Sequence, residues 1–281
     1  MKKYLLFIVP IMALFACSNQ DEPAQPQTVT FNLSAFEQSQ EPMNTPAKAP
    51  QATILDDENG SALTDIFIFD GTTQVAHQTS DAEDFGTIAL PLTHGEHNLH
   101  FVATRSTGIT FANGNLFATS LRSTFGKHLA LNVTSTTADQ NIVLDRVTGI
   151  LRITILDEFP ANAAEIEFII NKRYTTLHIE DFQGFEAEGS NTIRTSCTSK
   201  VGRSGEYYSL YILSPILNTP YSATVTINAY NAGGDNIASV TVNNVQMCSN
   251  TKTLLSGNLF NMPSANISVN TEWEEDIVTP F

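Results

Sequence analysis

Basic residues are scarce in this chain of 281 residues, which has 14 Lys and Arg against 29 Asp and Glu and a formal net charge of -15. A surface this acidic repels the phosphate backbone, so nucleic acid is not an expected partner. Charged residues of both signs make up 15% of the chain, where about 25% is usual. The polar surface must therefore come largely from Ser, Thr and Asn, as is common in extracellular all-β proteins.

Cysteine is also rare, with only Cys17, Cys197 and Cys248 in the sequence. Cys17 lies at the end of a leader segment, so Cys197 and Cys248 remain as a candidate disulfide in an oxidising envelope. A bridge requires their Cα atoms to lie within about 7 Å of each other. The sequence does not give that distance, so a disulfide and two free thiols both stay open.

Sequence signatures of catalysis are missing as well. The chain has no G-x-S-x-G elbow, no P-loop, no H-E-x-x-H motif and no C-x-x-C pair. These motifs carry the nucleophiles, phosphate cradles and metal ligands of many enzymes. We therefore expect neither an enzyme activity nor a cofactor.

Two short stretches resemble metal sites but favour simpler interpretations. His94, His97 and His100 stand close in sequence, yet on a strand His97 and His100 point to opposite faces. A solvated turn and strand is therefore preferred to a metal site there. The segment Asp56-Asp57-Glu58-Asn59-Gly60 resembles the start of a calcium loop, but its twelfth position is Phe67 where such a loop has Glu. We expect a polar turn, and no metal is predicted.

Long apolar runs are absent except for a short one at residues 4–15, which follows two lysines and ends in Leu14-Phe15-Ala16-Cys17. The run is shorter than the roughly 20 apolar residues of a transmembrane helix. Residues 1–16 are therefore predicted to be a cleaved lipoprotein signal peptide, and Cys17 is predicted to be the lipidation site. More than one acyl chain on Cys17 would give stable attachment to a membrane. The alternative is an ordinary secretory signal in which Cys17 is incidental.

The first half of the mature chain reads as a tether followed by strands. Residues 17–27 contain two prolines and are predicted to be a lipidated, extended tether. Alternating apolar residues then predict strands at 29–35, 63–70, 74–78, 87–92, 98–104, 128–133 and 141–147. The spacing of Leu116, Phe117, Leu121 and Phe125 instead predicts one short helix.

A second module is predicted to begin at the turn-forming Gly149. Further strands are expected at 150–155, 164–171, 207–213, 221–230, 237–246, 252–260 and 267–273, with a surface loop at 181–205. So many strand signals with so little helix indicate an all-β chain of β-sandwiches. The predicted division is an N-terminal β-sandwich domain at 28–147 and a C-terminal one at 148–281.

Several of these features together resemble fimbrial subunits of the Bacteroidales, in particular the lipidated minor or anchor subunits of the fimbrillin superfamily. They are the lipobox, which is the segment Leu14-Phe15-Ala16-Cys17, the two-part all-β body, the junction Leu144-Asp145-Arg146-Val147-Thr148-Gly149, and the ending at residues 254–260 and 267–273. The resemblance implies two transthyretin-like β-sandwich domains with Greek-key-type topology and very little helix. It also implies a lipid-anchored, surface-exposed protein of the outer membrane and the fimbrium.

The resemblance further implies partners and an assembly mechanism. Other fimbrial subunits, the outer-membrane lipid that holds acylated Cys17, and a host or bacterial surface ligand are the implied partners. Subunits of this family are proposed to assemble by β-strand addition, in which a strand from a neighbour fills an apolar groove, and to support adhesion and biofilm formation. A first strand at the edge of the N-terminal sandwich, beside such a groove, would favour this function.

The family's proteolytic processing has one candidate position here. Major subunits are cut by a trypsin-like protease after an arginine behind the first strand, but this sequence has no arginine before Arg105. Lys48 is the only basic residue between Cys17 and Arg105. A cut at Lys48 would allow polymerisation, whereas an intact chain would keep its lipid and serve as a base. The short acidic tail after Trp273 favours the base, because it offers little length for a donated strand.

A different function remains as an alternative, namely a glycan-binding surface lipoprotein of a nutrient-uptake system. Tyr207, Tyr208, Tyr211 and Trp273 are the candidates for an aromatic platform on which sugars stack. Aromatic residues in alternating strands are more often part of the core. Aromatic side chains exposed together on one face would favour the glycan-binding alternative.

Overall fold

The structure is a computed structural model of the chain and describes residues 26–35, 63–186 and 191–261. Within these ranges the regular structure consists of β-strands and one three-residue 3-10 turn, Thr198–Lys200. The prediction of an all-β sandwich-type fold with very little helix is confirmed.

Nine strands come before residue 147: β1 (Gln27–Ala35), β2 (Asp65–Asp70), β3 (Thr73–Thr79), β4 (Thr87–Leu92), β5 (Gly95–Thr104), β6 (Thr107–Ala112), β7 (Asn115–Ser120), β8 (Thr124–Val133) and β9 (Gln140–Arg146). Nine more follow: β10 (Gly149–Ile155), β11 (Glu165–Ile170), β12 (Tyr174–His178), β13 (Gly184–Glu186), β14 (Thr192–Ser196), β15 (Glu206–Ile212), β16 (Tyr221–Tyr230), β17 (Asn236–Met247) and β18 (Lys252–Gly257).

Seven of the first nine strands form the N-terminal module, a sheet in the order β3-β2-β5-β8-β9-β1-β4. Strands β8 and β9 pair over only two positions, Phe125 with Arg146 and Gly126 with Asp145. The sheet folds over at this short junction, because apolar residues of β9-β1-β4 and of β3-β2-β5-β8 pack into one core. Strand β4 shows the sequence basis, since Ile88, Leu90 and Leu92 alternate inward while their neighbours face solvent.

The C-terminal module, formed by β10, β11 and β14–β18, repeats this arrangement with different residues. Its three-stranded layer is β15-β10-β18, in which β10 pairs antiparallel with β15 and parallel with β18. In the N-terminal module β1 likewise pairs antiparallel with β4 and parallel with β9. The four-stranded layer β14-β11-β16-β17 corresponds in the same way to β3-β2-β5-β8. The two modules therefore share one topology of seven strands in two layers.

Each module also carries an inserted pair of strands, and the two insertions meet in a four-stranded bridging sheet, β13-β12-β7-β6. Strands β7 and β12 pair where Leu116 lies opposite Leu177. Both leucines are fully buried in a cluster that includes Val102 of β5 and Ile150 of β10. The predicted division at 147/148 stays a prediction, but strands from both sides of it share this sheet and its apolar cluster.

The predicted strands lie where the sequence indicated, within a few residues, except for residues 267–273, which lie outside the described ranges. Two predictions are wrong. Residues 116–125 form no helix, because Leu116 belongs to β7, Leu121 to a connecting segment and Phe125 to β8. The apolar residues that suggested a helical period thus come from two separate strands and from the segment that connects them. The segment 181–205 is not all loop, since β13 and β14 lie within it.

Over residues 26–35, 63–186 and 191–261, there is no helix with the length and apolar character needed to cross a membrane.

Candidate functional site

Strand β1 is the candidate site because it completes the core of the N-terminal module. It pairs antiparallel with β4 over six residue pairs and parallel with β9 over five. Two further hydrogen bonds fix its position: Leu33 N–H donates to the carbonyl oxygen of Gly86 at 2.7 Å, and Thr30 N–H donates to Oδ1 of Asp139 at 2.9 Å. The sequence does not indicate that Gly86 and Asp139 contact β1, because no local pattern marks a contact between residues so far apart.

The inward face of β1 is apolar and buried. Val29 and Phe31 are fully buried, and Leu33 is nearly so. The ring of Phe31 lies 5.3 Å from that of Phe101 on the opposing layer. Burying three such side chains stabilises the module by roughly 1.5–3 kcal/mol each. Strand β1 therefore contributes much of the core of its layer.

The position of β1 corrects one expectation. The sequence suggested that an edge position would favour strand addition, but β1 is central in its layer, between β9 and β4. Strand β4 has no other strand partner among those described. Removing β1 would expose an apolar groove and leave unpaired backbone on both sides of it. A neighbour's strand entering this groove could pair with two strands, whereas a strand added at an edge pairs with one.

The predicted lipidation and processing positions flank this strand in sequence. Cys17 precedes Gln27 by ten positions, and Lys48 lies between β1 and β2. Both residues lie outside the described ranges, so their roles stay predictions. The calcium-like segment at residues 56–60 also lies outside those ranges.

The two other cysteines lie far apart. Cys197 directly follows β14, at the end of the sheet where Tyr230 ends β16, whereas Cys248 directly follows β17, at the end where Tyr221 begins β16. Nine residues of extended strand separate those ends by about 30 Å. Both thiols are free and buried, and burial raises the pKa of each. The candidate disulfide does not form in this structure, because a bridge needs Cα atoms within about 7 Å.

The histidine cluster is divided by the pleat of β5. His97 Nδ1 lies 2.6 Å from Asp70 Oδ2, and its Nε2 lies 2.9 Å from the carbonyl oxygen of Thr93. Burial lowers the pKa of His97, but the hydrogen bonds to Asp70 and Thr93 outweigh burial and raise its pKa overall. Within the part of the chain that the structure describes, no three His, Cys, Asp or Glu side chains gather closely enough to hold a metal ion.

His100 lies on the other face of β5 and is buried. Its ring stacks on that of His128 at 4.8 Å and lies 6.4 Å from the ring of Phe182. Burial, followed by the charge of His128, lowers the pKa of His100 below its ordinary value of 6.5. The neutral imidazole is therefore the form that fits this site.

We expect His100 to reduce stability under acidic conditions. In the unfolded chain His100 takes up a proton near pH 6.5, whereas the lowered pKa keeps it neutral in the folded protein. The unfolded state thus binds more protons as the pH falls below 6.5, and the free energy of unfolding drops. A His100→Phe variant should lose part of this drop when urea unfolding is compared at about pH 7.5 and about pH 5.

The exposed turn residue His94 provides the control. A His94→Gln variant should keep the pH dependence of the parent chain. Equal pH dependence of the His100→Phe and His94→Gln variants would show that His100 is not the group responsible. His97 acts in the opposite direction, because its raised pKa adds stability that is present below pH 6.5 and lost as the pH rises through that raised value.

The tyrosines of β15 do not form a shared platform. Tyr208 packs against the core of the C-terminal module, and Tyr211 is buried. Tyr207 is 55% exposed, beside the guanidinium of Arg152 at 4.6 Å from its ring centre. Trp273 lies outside the described residues. Among the residues that the structure describes, the half-exposed side chains of Phe117 and Phe185 lie on the bridging sheet, away from β15.

The known proteins that resemble this chain resemble it in fold alone. No protein-family model matches the chain, and neither does any curated protein. The chain is similar in structure to a candidate adhesin from Bacteroides ovatus, with a TM-score of 0.52 and 8% sequence identity, over 79% of this chain and 84% of that one. At this identity the likeness shows a common fold.

Two weaker likenesses have lower TM-scores. A candidate cell adhesion protein from Bacteroides ovatus is 9% identical over 86% of this chain and 95% of that one, with a TM-score of 0.47. The tip fimbrial protein Mfa3 from Porphyromonas gingivalis, in a form with a C-terminal truncation, is 10% identical over 85% of this chain and 97% of that one, with a TM-score of 0.40.

Proposed function

We propose that this protein is a cell-surface adhesion protein of the fimbrial type, held on the outer membrane by acyl chains on Cys17. Within the fimbrium we propose the role of an anchor or accessory subunit that joins its neighbours by β-strand addition. The fold shared with a candidate adhesin supports the adhesive function. The lipobox at Leu14-Phe15-Ala16-Cys17 supports the attachment.

The observation that carries the proposal is the place of β1. This strand is the part of the described fold nearest in sequence to Cys17, and it is also the central strand of its layer. A force that pulls an anchored subunit away from the membrane would reach the module along β1. Strand β1 forms one hydrogen-bonded ladder with β4 and another with β9, on its two sides. A pull along β1 must therefore break many backbone hydrogen bonds at the same time. This arrangement suits a subunit that bears load.

The same strand explains how a cut at Lys48 would change the role. Cleavage would leave β1 attached to the module by non-covalent contacts alone, and its departure would open the groove between β4 and β9 to a strand from a neighbour. An intact chain keeps both the lipid and β1. We propose the intact form, which is an anchor, because no arginine stands between Cys17 and Arg105 for a trypsin-like protease to cut.

The proposal is tested by labelling the full chain with palmitate in a Bacteroidales host. The parent chain and a Ser18→Ala variant should incorporate the label and be accessible to antibody on intact cells, whereas a Cys17→Ala variant should incorporate none. Mass spectrometry of the surface material should then find the acylated N-terminal peptide.

Two outcomes would contradict this proposal. Absence of label from the parent chain would remove the lipid anchor. A mature N-terminus at Ala49 on surface filaments would show cleavage after Lys48 and assign the chain to a filament shaft.

A further inference from the structure

The outward side of the layer β15-β10-β18 is basic, although the whole chain has a formal net charge of -15. Leu151 and Ile153 of β10 point into the core of the C-terminal module. Arg152 lies between them and therefore points outward. Residues that pair across neighbouring strands share a face, and Arg152 pairs with Leu254 of β18. Lys252, two positions before Leu254, thus lies on the same outward side as Arg152.

No acidic side chain within these strands balances the two cations. Glu206 is the only Asp or Glu in β10, β15 and β18, and it forms ion pairs with Lys200 at 2.5 Å and Arg203 at 3.6 Å. Arg152 and Lys252 form no ion pair with any residue that the structure describes. Their charges are therefore available to a partner.

Two tyrosines of β15 hold guanidinium groups above this layer. Cζ of Arg152 lies 4.6 Å from the ring centre of Tyr207, and Cζ of Arg122 lies 5.7 Å from that of Tyr211. Arg122 is exposed, belongs to the segment between β7 and β8, and likewise has no ion pair among the described residues. The two tyrosines stand four residues apart on one strand, a distance of about 13 Å. We call the surface formed by Arg122, Arg152, Lys252, Tyr207 and Tyr211 the cationic face.

The charge and spacing of the cationic face fit carboxylates on an extended peptide. A guanidinium binds a carboxylate through paired hydrogen bonds. In an extended peptide, side chains four positions apart point the same way and lie about 13 Å apart. Tyrosine and arginine are enriched at protein interfaces, and Tyr207 and Leu156 beside them are more than half exposed. A densely charged polymer fits less well, because the acidic remainder of the chain repels it.

We propose that the cationic face binds an extended acidic peptide of a partner protein. The peptide lies along β15 and presents carboxylates four residues apart to Arg122 and Arg152. Lys252 stands at the level of Tyr211, because both pair with Ile150, and adds to the positive potential at that end of the peptide. The N-terminal module supplies Arg122 and the C-terminal module supplies the rest of the site. This inference does not depend on the fimbrial role.

Two fluorescein-labelled peptides of nine residues test the spacing. Both consist of Thr and Ser except for two Glu, at the third and seventh positions in one peptide and at the third and eighth in the other. Fluorescence anisotropy with the full chain should show that the first peptide binds about tenfold more tightly, because the second peptide directs its carboxylates to opposite sides. Raising NaCl from about 50 mM to about 300 mM should weaken binding of the first peptide severalfold.

An Arg152→Gln variant should bind the first peptide about tenfold more weakly than the parent chain. Lys172→Gln is the matched control, since it removes the same charge from an exposed turn between β11 and β12 and should leave binding unchanged. Equal urea unfolding midpoints of the two variants would confirm that both fold.

Four outcomes would overturn the proposal. They are no binding of the first peptide at millimolar concentration, equal binding of the two peptides, equal effects of the two variants, and tighter binding of polygalacturonate than of the first peptide. The last outcome would assign the cationic face to an anionic polysaccharide instead of a peptide.

Discussion

Replacing Phe31 by Ala should lower the free energy of unfolding by about 3–5 kcal/mol, the cost usual for truncating a fully buried phenylalanine. Phe31 has no exposed surface, and its ring contacts that of Phe101 across the two layers. Because β1 is central, a cavity there loosens contacts to both layers of the N-terminal module. The measurement is urea unfolding of the full chain, followed by circular dichroism.

A Thr28→Ala variant separates this effect from a general weakening of the strand. Thr28 is exposed on the same strand, opposite Pro91. The Thr28→Ala substitution should lower the free energy of unfolding by less than about 1 kcal/mol, the span of β-propensity differences. If the Phe31→Ala and Thr28→Ala variants were equally stable, the placement of β1 in the groove would be wrong, and the proposed strand exchange would lose its basis.

Replacing Gly149 by Ala should cost about 2–3 kcal/mol, within the range found when atoms are forced into a packed core. A Cβ atom at Gly149 would lie 2.0 Å from the carbonyl oxygen of Cys248 and 3.2 Å from that of Thr251. Both neighbours are backbone atoms, which side-chain rotation cannot relieve. They belong to the turn between β17 and β18, which is hydrogen-bonded here through Asn250 N–H to the Thr148 carbonyl at 2.9 Å.

Gly233 provides the matched control for this substitution. A Cβ atom there would lie 3.2 Å from a side-chain oxygen of Asn231 in the exposed β16–β17 turn. The contact is with a side-chain oxygen, which also accepts a hydrogen bond from Asp235 N–H at 2.9 Å. A shift of a few tenths of an ångström relieves it, so Gly233→Ala should lower the free energy of unfolding by less than about 1 kcal/mol. The comparison uses the unfolding midpoints of the two variants, and a Gly149→Ala chain as stable as the parent would disprove the close approach at the junction.

The requirement for glycine at position 149 could be predicted only in part. The sequence placed Gly149 at the start of a second run of strands, and β10 does begin there. The sequence suggested a turn as the reason for glycine. The structure instead shows an approach by the backbone of Cys248, almost a hundred residues later in the chain. Local propensity cannot reveal such a contact.

Strands with clean alternation were predicted well, as β4 and β16 show, because one buried face imposes a period of two. Strand β7 was mistaken for helix, since its few apolar residues fit a helical spacing together with those of the next strand. Pairing of β7 with β6 and β12 decided its conformation. Such pairing outweighs weak local preference.

The sequence alone determined that the chain is all-β, that its surface is acidic and rich in Ser, Thr and Asn, and that Val29, Phe31 and Leu33 share one face of a strand. Composition and period two suffice for these conclusions, because they depend on neighbours within a few residues. The tertiary structure decided that β1 lies between β4 and β9, that Cys197 and Cys248 stand apart, and that β18 pairs with β10 while β17 pairs with β16. These features depend on which strands meet across long loops, and the free energy that selects them comes from burial shared by residues far apart in sequence.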